Sequence, residues 1–430
     1  MKQGELAEQL IAWRRDFHQY PEQGFLEIRT ASKVAGVLDE LGYELALGKE
    51  VMTEAGCMGK PGEKETKQHL EWALENGADT RYVEYFAEGY TGIVATLRTA
   101  QPGPTIAYRV DMDALPIHES DAADHVPNQA GFRSTATGTM HACGHDSHTS
   151  IGLGLATKLA ENKDQLSGTI KLIFQPAEEG TRGAKSMAEA GVVDNVDYFI
   201  ASHIGTGVPH QHFVAASNGF LATSKLNITF KGVAAHAGAK PQEGKNALLA
   251  AASAVLNMHA VTRHSDGSSR VNVGELHAGS GRNIIPDYAM LIAETRGETS
   301  EINQYVKEQV QSIVDGAAKM YQLNAKVEVA GEALNCDCSL GVAEILKQCA
   351  ESHPEIAGAL LESSDSSGSE DATYFMDRVQ RGGGQATYCI FGTELAAGHH
   401  NEKFDIHEDT LLPAVEVLYQ AAKEIGRIAE

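Results

Sequence analysis

Between Met140 and His148 the chain reads Met-His-Ala-Cys-Gly-His-Asp-Ser-His, which sets His141, Cys143, His145, Asp146 and His148 within nine positions. Thiolate, imidazole and carboxylate in one window suit zinc, and also manganese, cobalt or nickel. Gly144 lets the backbone bend between two of the donors. The chain has 18 histidines, so clustering alone is weak evidence. A metal centre needs further donors from elsewhere, and any fold of this chain must bring distant segments to this window.

The chain in order offers such donors at a recurring place. Thr105–Val110 predicts a strand that runs into Asp111-Met-Asp-Ala-Leu-Pro116. Gly168–Phe174 predicts another, followed by Gln175-Pro-Ala-Glu-Glu-Gly180. Asp197–Ser202 is the next, with His203 at its end. Ala386–Phe391 is followed by Ala397-Gly-His-His-Asn-Glu402. Ser150–Leu159 predicts a helix of small apolar residues. Strands alternating with helices predict an α/β fold with a mostly parallel sheet. Such sheets hold ligands beyond the C-terminal ends of their strands.

The donors collected are Cys143, His145, Glu179, His203 and one of His399 and His400, with Asp113 behind them. Four ligands complete a single zinc, so a larger set predicts two metal ions. Glu178, next to Glu179, is the candidate general base. Plainer readings stand beside these. Cys143 can be a buried thiol, one of the two glutamates can be merely solvated, and Asp111 and Asp113 can close a strand-end turn. His18 reads as a packing residue at the end of a helix over residues 5–17.

Around residue 220 the texture changes. Leu221–Phe230, Asn246–His259, Ser269–Leu276, Tyr288–Arg296, 299–320 and Asn324–Val329 predict the order β-α-β-β-α-β, a ferredoxin-like unit. It reads as a domain over 220–332 inserted into a metal-binding catalytic domain of 1–219 and 333–430. His236, in a flexible connection, can donate a hydrogen bond to a substrate carbonyl. Asn283 and Arg296 can bind a substrate carboxylate, the arginine bidentately, although a surface ion pair explains Arg296 equally simply. The charged insertion between Cys57 and Glu88 carries no chemistry. Leu360–Asp371 is polar and acidic, and resembles a linker.

A formal net charge of -23 excludes a nucleic-acid binder working through a basic surface. The six cysteines are sparse and irregular for a disulfide framework, and the N-terminus reads as an amphipathic helix rather than a leader. A reducing cytoplasm is expected. No apolar run reaches about 18 residues, so no membrane span is expected.

Asp111–Pro116, His141–His148, Phe174–Gly180, His203, Ala235-His236, Gly281-Arg-Asn-Ile-Ile-Pro286, His400-Asn401 and Phe404 together resemble the M20 metallopeptidases, specifically their amidohydrolase branch. The match spans nearly the whole chain. It implies two divalent ions, manganese favoured over zinc, cobalt or nickel. Cys143 would be shared between them, with His145, Glu179, His203 and His400 as the other ligands. His400 is preferred over His399 because it directly precedes Asn401. Glu178 becomes the general base, and His236, Asn283 and Arg296 become substrate contacts, sometimes supplied across a subunit interface. One departure is Glu402, where relatives often have proline.

The start of the chain, the 50–88 insertion and His399–Phe404 are most similar to members that cleave p-aminobenzoyl-glutamate. The implied reaction is amide hydrolysis to p-aminobenzoate and glutamate. The implied assembly is a homodimer, or a heterodimer with a homologous subunit, formed through the inserted lid or dimerisation domain. A general N-acyl-amino-acid amidohydrolase or dipeptidase, and a non-catalytic metal-binding subunit, are the competing expectations.

Overall fold

The computed structural model describes residues 2–364 and 368–428. Their contacts divide the chain into two units. One runs to Asn218 and resumes at Cys336; the other comprises Gly219–Asn335 with the short 368–370 stretch. In chain order the first unit contributes β1 (Glu44–Leu47), β2 (Ile93–Arg98), β3 (Gln101–Asp111), β4 (Ser167–Gln175), β5 (Tyr198–Ile204) and β6 (His212–Ser217). The second contributes β7 (Ala222–Lys231), β8 (Ala235–His236), β9 (Ser269–Ala278), β10 (Ile284–Ile285), β11 (Tyr288–Gly297) and β12 (Asn324–Ala333). The chain then returns for β13 (Gly358–Ser363) and β14 (Gln385–Phe391).

The first unit is built on an eight-stranded sheet in the order β1-β2-β4-β3-β5-β14-β6-β13. Its centre, β4-β3-β5-β14, is parallel throughout. The expectation of a mostly parallel sheet is corrected at the flanks: β1–β2, β2–β4 and β14–β6 are antiparallel, so the sheet is mixed. Short connections are the reason. Only Thr99 and Ala100 separate β2 from β3, which forces a reversal of direction, whereas parallel neighbours need a long crossover. The seven residues between β5 and β6 act in the same way.

The central strands are apolar and almost wholly buried, as strands covered on both faces must be. Two groups of helices provide the cover. Gln3–Gln19, His145–Glu161 and Leu411–Ile428 pack together, and Ala184–Glu189 packs with Thr373–Arg381. The linker-like stretch begins as the edge strand β13 and ends at buried Glu370 and Asp371; residues 365–367 lie outside the described residues.

The second unit is a four-stranded antiparallel sheet in the order β12-β7-β11-β9, with a small β8–β10 ladder beside it. Its helices Ala247–Met258 and Ser300–Met320 are capped by Asn246 and Thr299, whose side chains accept from the Leu249 and Ile302 N–H groups. Alternate residues of β7 (Leu226, Ile228, Phe230) and of β11 (Ala289, Leu291, Ala293) form the core with the alanines of the first helix and Val310 and Val314 of the second. The unit extends past residue 332, because β12 runs to Ala333 and Asn335 accepts from the Ser300 N–H at 2.7 Å. Among the described residues, no helix is long and apolar enough to cross a membrane.

Candidate metal centre

The four parallel strands end together, and the donors cluster beyond those ends. Asp111 closes β3, with Asp113 two residues on. Glu178 and Glu179 follow β4, His203 is the penultimate residue of β5, and His399 and His400 follow β14. The Met140–His148 window enters between them. Gly144 caps the His145–Glu161 helix at φ 95°, a conformation that favours glycine. A Cβ there would also lie 2.8 Å from Ile204 Cγ2, so the motif packs against the end of β5 only with glycine at this position.

The donor atoms of Cys143, His145 and His203 lie within 4.8 Å of one another. The same holds for Cys143, Glu179 and His400, and for His145, Glu178 and Glu179. Cys143 Sγ is 3.5 Å from His203 Nε2, His400 Nε2 is 3.5 Å from Glu179 Oε1, and His145 Nε2 is 4.0 Å from Glu178 Oε2. The ring orientations agree with ligand roles. His145 Nδ1 donates to the Asp113 carbonyl at 2.8 Å, and His203 Nδ1 donates to the Ile204 carbonyl at 2.8 Å. Each hydrogen bond fixes the tautomer that turns an Nε2 lone pair inward.

The neighbouring histidines are committed elsewhere. His148 Nε2 accepts from the Ile204 N–H at 3.0 Å while its Nδ1 donates to Asp111 at 2.6 Å, so it braces the loop. His399 Nε2 accepts from the Thr206 N–H at 3.0 Å. His400 instead takes φ 63°, held by its N–H donating to the Ala142 carbonyl at 2.7 Å. That left-handed residue turns its ring to Glu179. His141 is buried and packs near His18, with ring centroids 6.5 Å apart.

Other buried polar groups support the donors. Asp113 accepts from the backbone N–H of both Glu178 and Glu179, at 3.0 and 2.9 Å, and so shapes the turn that presents them. Glu27 accepts from the Ala177 N–H at 2.8 Å, holding that residue at φ 51°. Asp371 accepts from the Gly183 and Ala184 N–H groups and from Gln175 Nε2. His18, read from sequence as packing, lies fully buried between Asp146 and Glu119 at 2.9 Å each. Arg14 joins the same Asp146 oxygen at 2.9 Å. Asp113 is visible in the Asp111–Pro116 motif, whereas only proximity in three dimensions reveals the parts played by Glu27, Asp371, His18 and Arg14.

The electrostatics call for positive charge. Burial, followed by the Glu179 carboxylate, pushes the Cys143 thiol well above its usual range, so a thiolate here needs a cation beside it. Burial and the neighbouring His148 and His399 lower His203. Burial opposes charge on His145, but Asp111 and Asp113 outweigh it and raise this residue. His145 Nε2 is buried with no partner in hydrogen-bonding geometry among the described residues. Thiol, imidazole and carboxylate lone pairs converging on one place, one of them buried and unmatched, fit a divalent metal pair.

His236, Asn283 and Arg296 belong to the second unit. β8 pairs with β10, which brings His236 opposite Ile284, and the Ala237 N–H donates to the Asn283 carbonyl at 3.0 Å. His236 is exposed, and its Nδ1 accepts from the Gly238 and Ala239 N–H groups, leaving Nε2 outward. Arg296 pairs with Glu294 on its own strand at 2.9 Å.

The chain belongs to peptidase family M20/M25/M40, whose profile matches residues 107–424. It is 52% identical to one of the subunits of p-aminobenzoyl-glutamate hydrolase from Escherichia coli (strain K12), across 97% of this chain and 96% of that one. It is 51% identical to an indole-3-acetyl-aspartic acid hydrolase of Enterobacter agglomerans, across 96% and 95%. Among solved structures, an aminobenzoyl-glutamate utilization protein from Klebsiella pneumoniae superimposes with a TM-score of 0.86 at 47% identity, covering 98% of this chain and 97% of that one.

Proposed function

We propose that this chain is a dinuclear metal-dependent amidohydrolase that cleaves p-aminobenzoyl-glutamate to p-aminobenzoate and glutamate. The observation that carries the reading is the overlap of two donor groups at Cys143, one with His145 and His203, the other with Glu179 and His400. Glu178 stands beside both. Two divalent ions held there would polarise the scissile carbonyl and acidify the attacking water. Manganese is the favoured metal, and the mixed S, N and O donors also suit zinc, cobalt or nickel.

The residues of the chain then divide the work. Glu178 accepts the proton of the attacking water and passes it to the amide nitrogen as the C–N bond breaks. His236 donates to the carbonyl oxygen, and Asn283 and Arg296 hold the carboxylates of the amino-acid half. The second unit is read as a ferredoxin-like lid and dimerisation domain. The partner is a second copy or a homologous chain, in keeping with the Escherichia coli relative being named as one subunit of its enzyme. The six unpaired thiols suit a cytoplasmic setting.

The two curated relatives support the substrate class. p-Aminobenzoyl-glutamate and indole-3-acetyl-aspartate each join an aromatic acyl group to an acidic amino acid. A panel of these two, hippurate and N-acetyl amino acids, with and without a homologous partner chain, tests the assignment. The expected result is the highest kcat/KM for p-aminobenzoyl-glutamate. A preference for N-acetyl amino acids in both arms would replace it with a general deacylase.

A further inference from the structure

Seven residues beyond His203 stands His210, and seven residues beyond His400 stands His407. The first pair lies on β5 and the loop after it, where Gly205, Thr206, Gly207 and Gln211 all have positive φ. The second lies on a hairpin closed by the Ala396 N–H donating to the Asp405 carbonyl and the His407 N–H donating to the Glu394 carbonyl. Asp409 follows in the short 3-10 turn Glu408–Thr410. The donor atoms of His210, His407 and Asp409 lie within 4.8 Å of one another.

We infer that His210, His407 and Asp409 form a peripheral site for a single divalent transition-metal ion, separate in its ligands from the Cys143 cluster. His210 Nε2 is 3.5 Å from Asp409 Oδ2, and His407 Nδ1 is 2.6 Å from Asp409 Oδ1. The two rings pack with centroids 5.0 Å apart. The Nδ1 of His210 is buried without a partner among the described residues, and its Nε2 reaches Asp409 only at the longer 3.5 Å, so neither nitrogen is held by a short bond that an ion would have to break. Two imidazoles and one carboxylate select zinc, nickel, cobalt or copper over magnesium or calcium, which prefer oxygen throughout. His407 and Asp409 are about half exposed, with side-chain exposures of 55% and 48%, so water completes the shell. The entering ion displaces the proton between His407 and Asp409. Once seated, it cross-links the loop after His203 to the hairpin that presents His400.

The test is Co2+ uptake by equilibrium dialysis in excess Mg2+, which occupies the carboxylates of this acidic chain. Wild type is compared with the His210→Ala/His407→Ala double variant and with Asp409→Asn. The double variant is expected to bind one equivalent fewer and to keep the near-ultraviolet thiolate-to-cobalt absorption of the Cys143 centre. Asp409→Asn should bind the extra ion at least about tenfold more weakly. The difference of one equivalent, rather than the total, is the readout, so this site stands or falls separately from the two-ion reading. Equal uptake by all three proteins would overturn it. So would a loss in the double variant accompanied by loss of the thiolate band, with Asp409→Asn binding like wild type.

Discussion

Glu178 and Glu179 are adjacent in sequence and are held by one carboxylate, Asp113, yet they face different work. Glu178→Ala should lower kcat by about 10²- to 10⁴-fold, the usual weight of a general base, while metal content stays near that of wild type. Turnover that survives would remove Glu178 from the chemistry. The histidine pair divides just as sharply. His400→Ala should lose metal on dialysis, whereas His399→Ala should retain it, because His399 already spends Nε2 on the Thr206 N–H. Loss by His399→Ala with retention by His400→Ala would reverse that choice, and equal retention by both would remove His400 from the ligand set. His18 supplies a pH dependence. Burial disfavours its charge, but hydrogen bonds to Asp146 and Glu119 outweigh burial and push its pKa up to about 9, against 6.5 when unfolded. Its contribution to stability is therefore full below pH 6.5 and is lost as pH rises through about 9. The urea midpoint should fall across that window in wild type and change less in His18→Gln; identical slopes would show that His18 is not charged in the fold.

The His145–Glu161 helix and its glycine cap set the position of the whole cluster. Gly144→Ala forces alanine to φ 95° and drives its Cβ toward Ile204. The strain should cost about 1–3 kcal/mol and displace His145 relative to His203. A lower thermal midpoint together with weaker metal retention in metal analysis is the expected outcome; an unchanged midpoint would mean that the loop relaxes freely. The central strands are legible in the sequence because buried parallel strands are continuous apolar runs; Glu178, Glu179, His203 and His400 are legible because they stand at or beyond the ends of such runs, and Cys143 and His145 because their window is dense in donors. The antiparallel flanks are not, since side-chain periodicity carries no strand direction; only the short links before β3 and before β6 encode the reversals. Strands β6 and β13 are short, and β13 is partly polar, so its composition resembles that of a loop. Glu27 and Asp371 act by accepting backbone N–H groups, a role that any buried carboxylate fills and that leaves no spacing to read.

In the whole molecule the proposed ligand set stretches from Cys143 to His400, and the sheet interleaves early and late strands, with β14 seated beside β5. The centre therefore exists only when both ends of the chain have folded together, a topology of distant contacts that predicts slow folding. The net charge of -23 repels an acidic substrate at long range, which leaves recognition to local positive charge. The proposed function has two ions sharing Cys143 and acting as one catalytic unit. Its most direct test is the rate of p-aminobenzoate release from p-aminobenzoyl-glutamate as Mn2+ is titrated into chelator-treated protein, with the homologous partner chain present if one is required. Activity should rise from none to a plateau at two equivalents per chain. A plateau at one equivalent, or release without metal, would contradict it.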